Sequence, residues 1–128
     1  MKDLAEAIRA ASPAGRLPCR RAFDLAASLG IEPFVLGREV TAIGVKISHC
    51  ELGLFGHTET GKGRIVNPDP EASLDLKREI AARLTGGRLP CRSAWEIAAE
   101  KGLSRLAVSC AAEGLGVHIS SCQLGCFP

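Results

Sequence analysis

The chain repeats itself. Residues 15–55, GRLPCRRAFDLAASLGIEPFVLGREVTAIGVKISHCELGLF, align without a gap onto residues 87–127, GRLPCRSAWEIAAEKGLSRLAVSCAAEGLGVHISSCQLGCF, at an offset of 72. Eighteen of the 41 pairs are identical, and most of the others are conservative, such as Phe23 with Trp95, Asp24 with Glu96 and Ile31 with Leu103. The match continues upstream, where Leu4, Ile8 and Ala10 face Leu76, Ile80 and Ala82. Similarity of this length marks an internal duplication, so any fold proposed for one copy must also suit the other. Between the copies lies HTETGKGRIVNPDPEAS, rich in Gly, Pro, Thr and Asn and poor in apolar residues, which reads as a linker. The division is therefore a first module over 1–56, a linker over 57–73 and a second module over 74–128.

Each module reads as three helices and a short strand. In the first helix, over Asp3–Ala11 and again over Asp75–Leu84, Leu4, Ile8 and Ala11 recur at helical spacing, as do Leu76, Ile80 and the aliphatic stem of Arg83. Asn67-Pro68-Asp69-Pro70 stops any helix before the second copy, and Ser73 or Asp75 then stands ready to cap the next one. Gly-Arg-Leu-Pro-Cys opens a second helix, with Pro18 and Pro90 near its first turn, where proline is tolerated. Ala22, Leu25, Ala26 and Leu29 form its buried face, and Gly30 ends it. A third helix follows over about Pro33–Ile43, with Phe34, Val35, Val40 and Ile43 expected inward. Val45-Lys46-Ile47-Ser48 alternates as a strand does. The apolar tail from Cys50 to Phe55 is expected to pack back on its own module.

Two helices joined by a glycine-containing turn form a helix-turn-helix. At Ala26, Gly30, Ile31 and Val40, and again at Ala98, Gly102 and Leu103, the chain resembles the helix-turn-helix superfamily: a small residue in helix two, glycine in the turn, an apolar residue straight after it. With a strand after helix three it resembles a reduced winged helix. The fold class implied is mainly α, two tandem three-helix modules, each with a short β segment after helix three. The function implied is nucleic-acid binding, as in a transcriptional regulator, with the two copies acting as a dimer within one chain.

The arginines are the residues on which that reading turns. In such folds the start of helix two meets phosphates and helix three reads bases. Arg16 and Arg20 recur as Arg88 and Arg92, and Arg21 is added in the first copy. Cations at a helix N-terminus oppose the macrodipole, which suggests an external anion; the alternative is that they are merely solvated or paired. Helix three carries Arg38 in one copy and Arg105 in the other, the candidates to approach base edges, but it has no Asn or Gln and several carboxylates. The net charge of +2 is too small to announce a nucleic-acid partner by itself. The second copy carries more of the positive balance and is by charge the better candidate of the two.

The remaining classes are narrowed by what the sequence lacks. There is no G-x-S-x-G, H-E-x-x-H or phosphate-loop motif, and Gly61-Lys62-Gly63-Arg64 is only a short basic turn, so no catalytic residue and no cofactor is expected. Cys19 and Cys50 recur as Cys91 and Cys122, while Cys110 and Cys126 belong to the second copy alone. Small buried thiols are the simplest reading. A metal site would need ligands from both copies, and no C-x-x-C knuckle is present, so none is expected. Cys19 and Cys91, beside arginines at a helix start, would be reactive if exposed. No run of 18 apolar residues and no export signal are visible, which makes the cytoplasm the expected location, without a membrane partner. The rival to DNA is a protein partner or a homodimer, and it predicts an exposed apolar patch around Leu52, Leu54, Phe55 and their counterparts.

Overall fold

The structure, a computed structural model, describes residues 3–57 and 63–128. The middle of the expected linker (58–62), with the Gly61-Lys62 half of the basic turn, lies outside the described residues, as does the N-terminal pair. Among the described residues the chain is mainly helical. The first copy runs α1 (Leu4–Ala11), β1 (Arg16–Pro18), α2 (Cys19–Leu29), α3 (Pro33–Ala42) and β2 (Lys46–Ser48). The second repeats this order as α4 (Leu74–Ala82), β3 (Leu89–Pro90), α5 (Cys91–Lys101), α6 (Arg105–Gly114) and β4 (Ile119–Ser120). No helix among these is long and apolar enough to cross a membrane.

The local signals act as expected at most boundaries. Asp3 caps α1 through Ala5 N, and Ser73, of the two candidates named, caps α4 through Leu76 N. Pro18 and Pro90 stand immediately before α2 and α5, where their missing N–H costs nothing. Gly30 and Gly102 close these helices in the left-handed region, at φ 66° and 65°. Each lets the next amide return to the helix, Ile31 N to Ala26 O and Leu103 N to Ala98 O.

The strand expected after helix three exists, but its partner was not anticipated. Arg16-Leu17-Pro18, read above as the opening of helix two, is itself a strand, and β1 pairs parallel with β2, placing Arg16 opposite Lys46 and Leu17 opposite Ile47. The second copy keeps the same register, with Leu89 opposite Ile119. In each module a strand on each side of the α2–α3 pair, or of α5–α6, thus clasps it. Leu17 and Leu89 are fully buried beneath this clasp.

The third helix also sits in a different phase from that expected. Leu36, Gly37 and Val40 face inward, while Phe34 is 53% and Val35 47% exposed. The run Phe34-Val35-Leu36 is apolar throughout, and its periodicity does not say which residue faces the core. In helix two, Ala22 and Ala26 are buried as expected, whereas Leu29 is exposed.

The tails depart furthest from expectation, because each fills the core of the other copy. Leu52 is fully buried among Leu76, Ile80, Leu89, Ile97 and Val108 of the second copy. Leu124, 3% exposed, packs with Ile8, Leu17, Ala22, Leu36 and Val40 of the first. The bend that sends each tail across follows the last strand, where His49 and its counterpart Ser121 both adopt left-handed backbone, at φ 49° and 53°. Each tail then tightens into the same small loop, with Cys50 N donating to Phe55 O and Cys122 N to Phe127 O. An apolar patch around Leu52 is therefore absent: the residue expected to form it is core. At the centre Phe23 meets Trp95, its own counterpart, with ring centroids 4.2 Å apart, so an approximate two-fold axis runs between equivalent residues.

Candidate functional site

The expected arginines are not brought together into one basic face. Arg16 is half-buried and donates from Nη2 to Gly56 O at 3.1 Å, holding the base of the crossed tail. Arg21 is exposed and reaches Ala11 O. Arg92 has a 79% exposed side chain and lies only loosely beside Glu96, at 3.7 Å. Arg88 lines an open cavity with Arg64, Glu113 and His118. Arg38 is exposed on α3 beside Thr41 and Ala42. Arg20 and Arg105 share a site, a cavity of about 380 Å3 whose walls include Glu51 and Trp95.

Arg105 was expected to approach base edges; it is half-buried, with its guanidinium engaged by two residues of the chain itself. Its guanidinium lies 3.4 Å above the Trp95 ring and is 2.8 Å from Glu51 Oε1. Stacking plus a carboxylate satisfies a planar cation well, and removing it from that setting would leave Glu51 unpaired. Three residues from three elements make this contact, and in the first copy Pro33 stands where Arg105 stands, so neither local pattern nor the repeat reveals it.

The two third helices differ in how much of each is covered. The linker crosses α6: Asp69 N donates to Cys110 O at 2.9 Å, Ile65 N donates to Gly53 O at 2.8 Å, and Arg64 pairs with Glu113 at 2.9 Å. At Gly114 the linker backbone comes so close that a Cβ would meet Asp69 O at 2.5 Å. The equivalent face of α3, formed by Phe34, Arg38, Thr41 and Ala42, has no such cover among the described residues and borders an open cavity of about 350 Å3 with Leu124 and Gly125. Sequence reasoning missed Phe34 as a surface residue. A signal was nonetheless present, because this face has Phe34, Arg38 and Ala42 where the covered one has Leu106, Cys110 and Gly114.

The thiols gather near the seam between copies. Cys19, Cys50 and Cys91 are buried, close enough for each to be sensitive to another's charge. Burial pushes all three thiols up, Cys19 to about 12, so they are inert rather than activated by the nearby arginines. Among the described residues no three His, Cys, Asp or Glu side chains are placed to hold a metal ion. Cys122 behaves differently. A hydrogen bond with Cys126 is the main cause that lowers it to about 6, aided by the amides of Cys126, Leu124 and Gly125 against partial burial, while the same contact pushes Cys126 up. The first copy has Leu54 in place of Cys126 and so lacks this pair.

A pH-dependent reactivity follows. Cys122 borders an open cavity with Cys126 and Phe127, so its labelling by iodoacetamide is expected to rise with a midpoint near pH 6. Cys126→Ala should move that midpoint up towards the ordinary thiol value, and an unchanged midpoint would disprove the assignment. The associated stability change has opposite signs for the two kinds of thiol. The depressed Cys122 contributes stability that is present at alkaline pH and lost as pH falls through about 6. Cys19 is raised, so its contribution is lost as pH rises past the ordinary thiol value towards about 12.

No protein family, curated protein or solved structure matches this chain.

Proposed function

We propose that the chain is a non-catalytic binding module that recognises another protein through the uncovered face of α3. The observation that carries this reading is the exposure of large apolar side chains on α3, where Phe34 and Val35 face solvent in the described residues. An exposed large aromatic and a neighbouring β-branched residue beside a groove suit a protein surface better than a phosphate backbone. Selection of peptides from a random display library against the folded chain tests it. Enriched peptides should lose binding to a Phe34→Asp variant whose circular dichroism is unchanged.

The tandem helix-turn-helix reading, with DNA as partner, is favoured by a separate observation. Arg20 and Arg92 are exposed at equivalent positions in the first turns of α2 and α5, and neither helix start has a side-chain cap. In that case duplex DNA binds, its affinity falls steeply with salt, and Arg20→Ala with Arg92→Ala flattens the slope by about two charges. That outcome, with no peptide enriched, would displace the protein reading.

A further inference from the structure

We infer that Cys122 and Cys126 form a thiol–disulfide exchange site whose substrate is a small-molecule disulfide, and that the first copy has no such site. The evidence is a loop built twice on one frame, once with two cysteines in contact and once with a single cysteine.

The frame is set without the thiols. In the first copy Cys50 O accepts from Gly53 N at 2.9 Å, and Cys50 N donates to Phe55 O at 3.2 Å. In the second, Cys122 O accepts from Gly125 N at 2.9 Å, and Cys122 N donates to Phe127 O at 3.2 Å. The turning glycines are left-handed alike, at φ 77° for Gly53 and 81° for Gly125. Leu52 and Leu124, inside their loops, anchor the two frames in the opposite cores. Where the first copy has Leu54, packed on the cluster to which Cys50 belongs, the second has Cys126. Its S–H donates to the Cys122 sulfur. The thiols thus touch across a short ring whose backbone is already closed, so joining them needs little rearrangement.

The two members of the pair divide the reaction. Cys122, lowered to about 6, is largely thiolate at neutral pH, and its sulfur attacks one sulfur of the substrate. The substrate S–S bond breaks and a first small thiolate leaves. Cys126 is held up mainly by its hydrogen bond to Cys122, and also by burial and the charge there. Once Cys122 carries the mixed disulfide, that charge is gone and Cys126 can ionise. Cys126 gives its proton to the departed thiolate, attacks the Cys122 sulfur and expels a second small thiolate. The protein pair loses two electrons, and the substrate disulfide is reduced to one thiol and one thiolate. Excess small thiol runs the same steps backwards. Cys19, Cys50 and Cys91 do not compete, because burial keeps them protonated.

The test uses the full reduced chain and oxidised glutathione, with acid quenching and mass spectrometry. Cleavage after Glu113 isolates residues 114–128, which hold Cys122 and Cys126 and no other cysteine. This peptide should lose two hydrogens and carry no glutathione, and dithiothreitol should restore it. Cys126→Ser, a change at an exposed position, should stop at a glutathione adduct on Cys122. The wild-type rate should barely change from pH 7 to pH 8, where an ordinary thiol gains about eightfold in thiolate. A rise of that size would overturn the role given to Cys122. A stable glutathione adduct on the wild-type peptide would overturn the inference, and so would a bridge from Cys122 to Cys19, Cys50 or Cys91. An unmodified peptide, under conditions that oxidise the urea-unfolded chain, would overturn it too, since the folded loop would then exclude the substrate. Each outcome is independent of whether the chain binds a peptide or DNA.

Discussion

Leu52→Ala is expected to cost about 2–5 kcal/mol, the range for emptying a fully packed leucine site, with most of the damage in the copy to which Leu52 does not belong. Leu52 closely follows β2 in sequence, but its neighbours are Leu76, Ile80, Ile97 and Val108. Native-state amide exchange should therefore accelerate first in α5 and α6, and Leu124→Ala should do the reverse, loosening α2 and α3. Urea unfolding supplies the size of each effect. Leu54→Ala is the control: Leu54 is only half-buried and should cost clearly less. Loss of protection confined to the mutated residue's own copy would contradict the crossed arrangement.

Gly37→Val should be as severe, for a different reason. The first atom of any side chain at this position would stand 1.8 Å from the carbonyl oxygen of Leu124 and 2.7 Å from its carbonyl carbon. The obstacle is backbone, which cannot swing aside as a flexible side chain can. Either α3 or the second copy's tail must shift, and a displaced tail empties the Leu124 site as well. A loss of about 3 kcal/mol or more combines overpacking with that cavity. The second copy provides the comparison, because Ser109 already carries a Cβ at the equivalent position and is buried. Ser109→Ala adds no bulk there and should change the unfolding midpoint little. A well-tolerated Gly37→Val would show that the tail does not seat against α3.

The duplication, the helix limits near Leu4, Cys19 and Pro33, and the glycine stops at Gly30 and Gly102 were legible in the sequence because each depends on chemistry within a few residues. The strand Arg16–Pro18 was not, since three residues are too few for alternation to register and a proline follows a leucine as readily at a helix start. The burial of Leu36 in place of Phe34 and Val35 depends on which side of α3 the rest of the protein lies. The tails posed the same difficulty more sharply. Their composition required a core, but with two like cores in one chain nothing local said which. At the candidate site the open groove depends on where the linker runs, and Arg105 is withdrawn by Trp95 and Glu51, neither of which is near it in sequence.

The crossed tails also order events in time. The first copy can form its helices early, but its core lacks Leu124 until the second copy's tail has been made. Until then Leu36 and Val40 are without the residue that packs over them, and closure joins residues as distant in sequence as Ile8 and Leu124. Contacts of that kind slow folding, because the intervening chain must be ordered before the contact is rewarded. During synthesis the first copy should therefore remain a loose, chaperone-accessible intermediate, and both copies should become protease-resistant together once the second copy's tail is available.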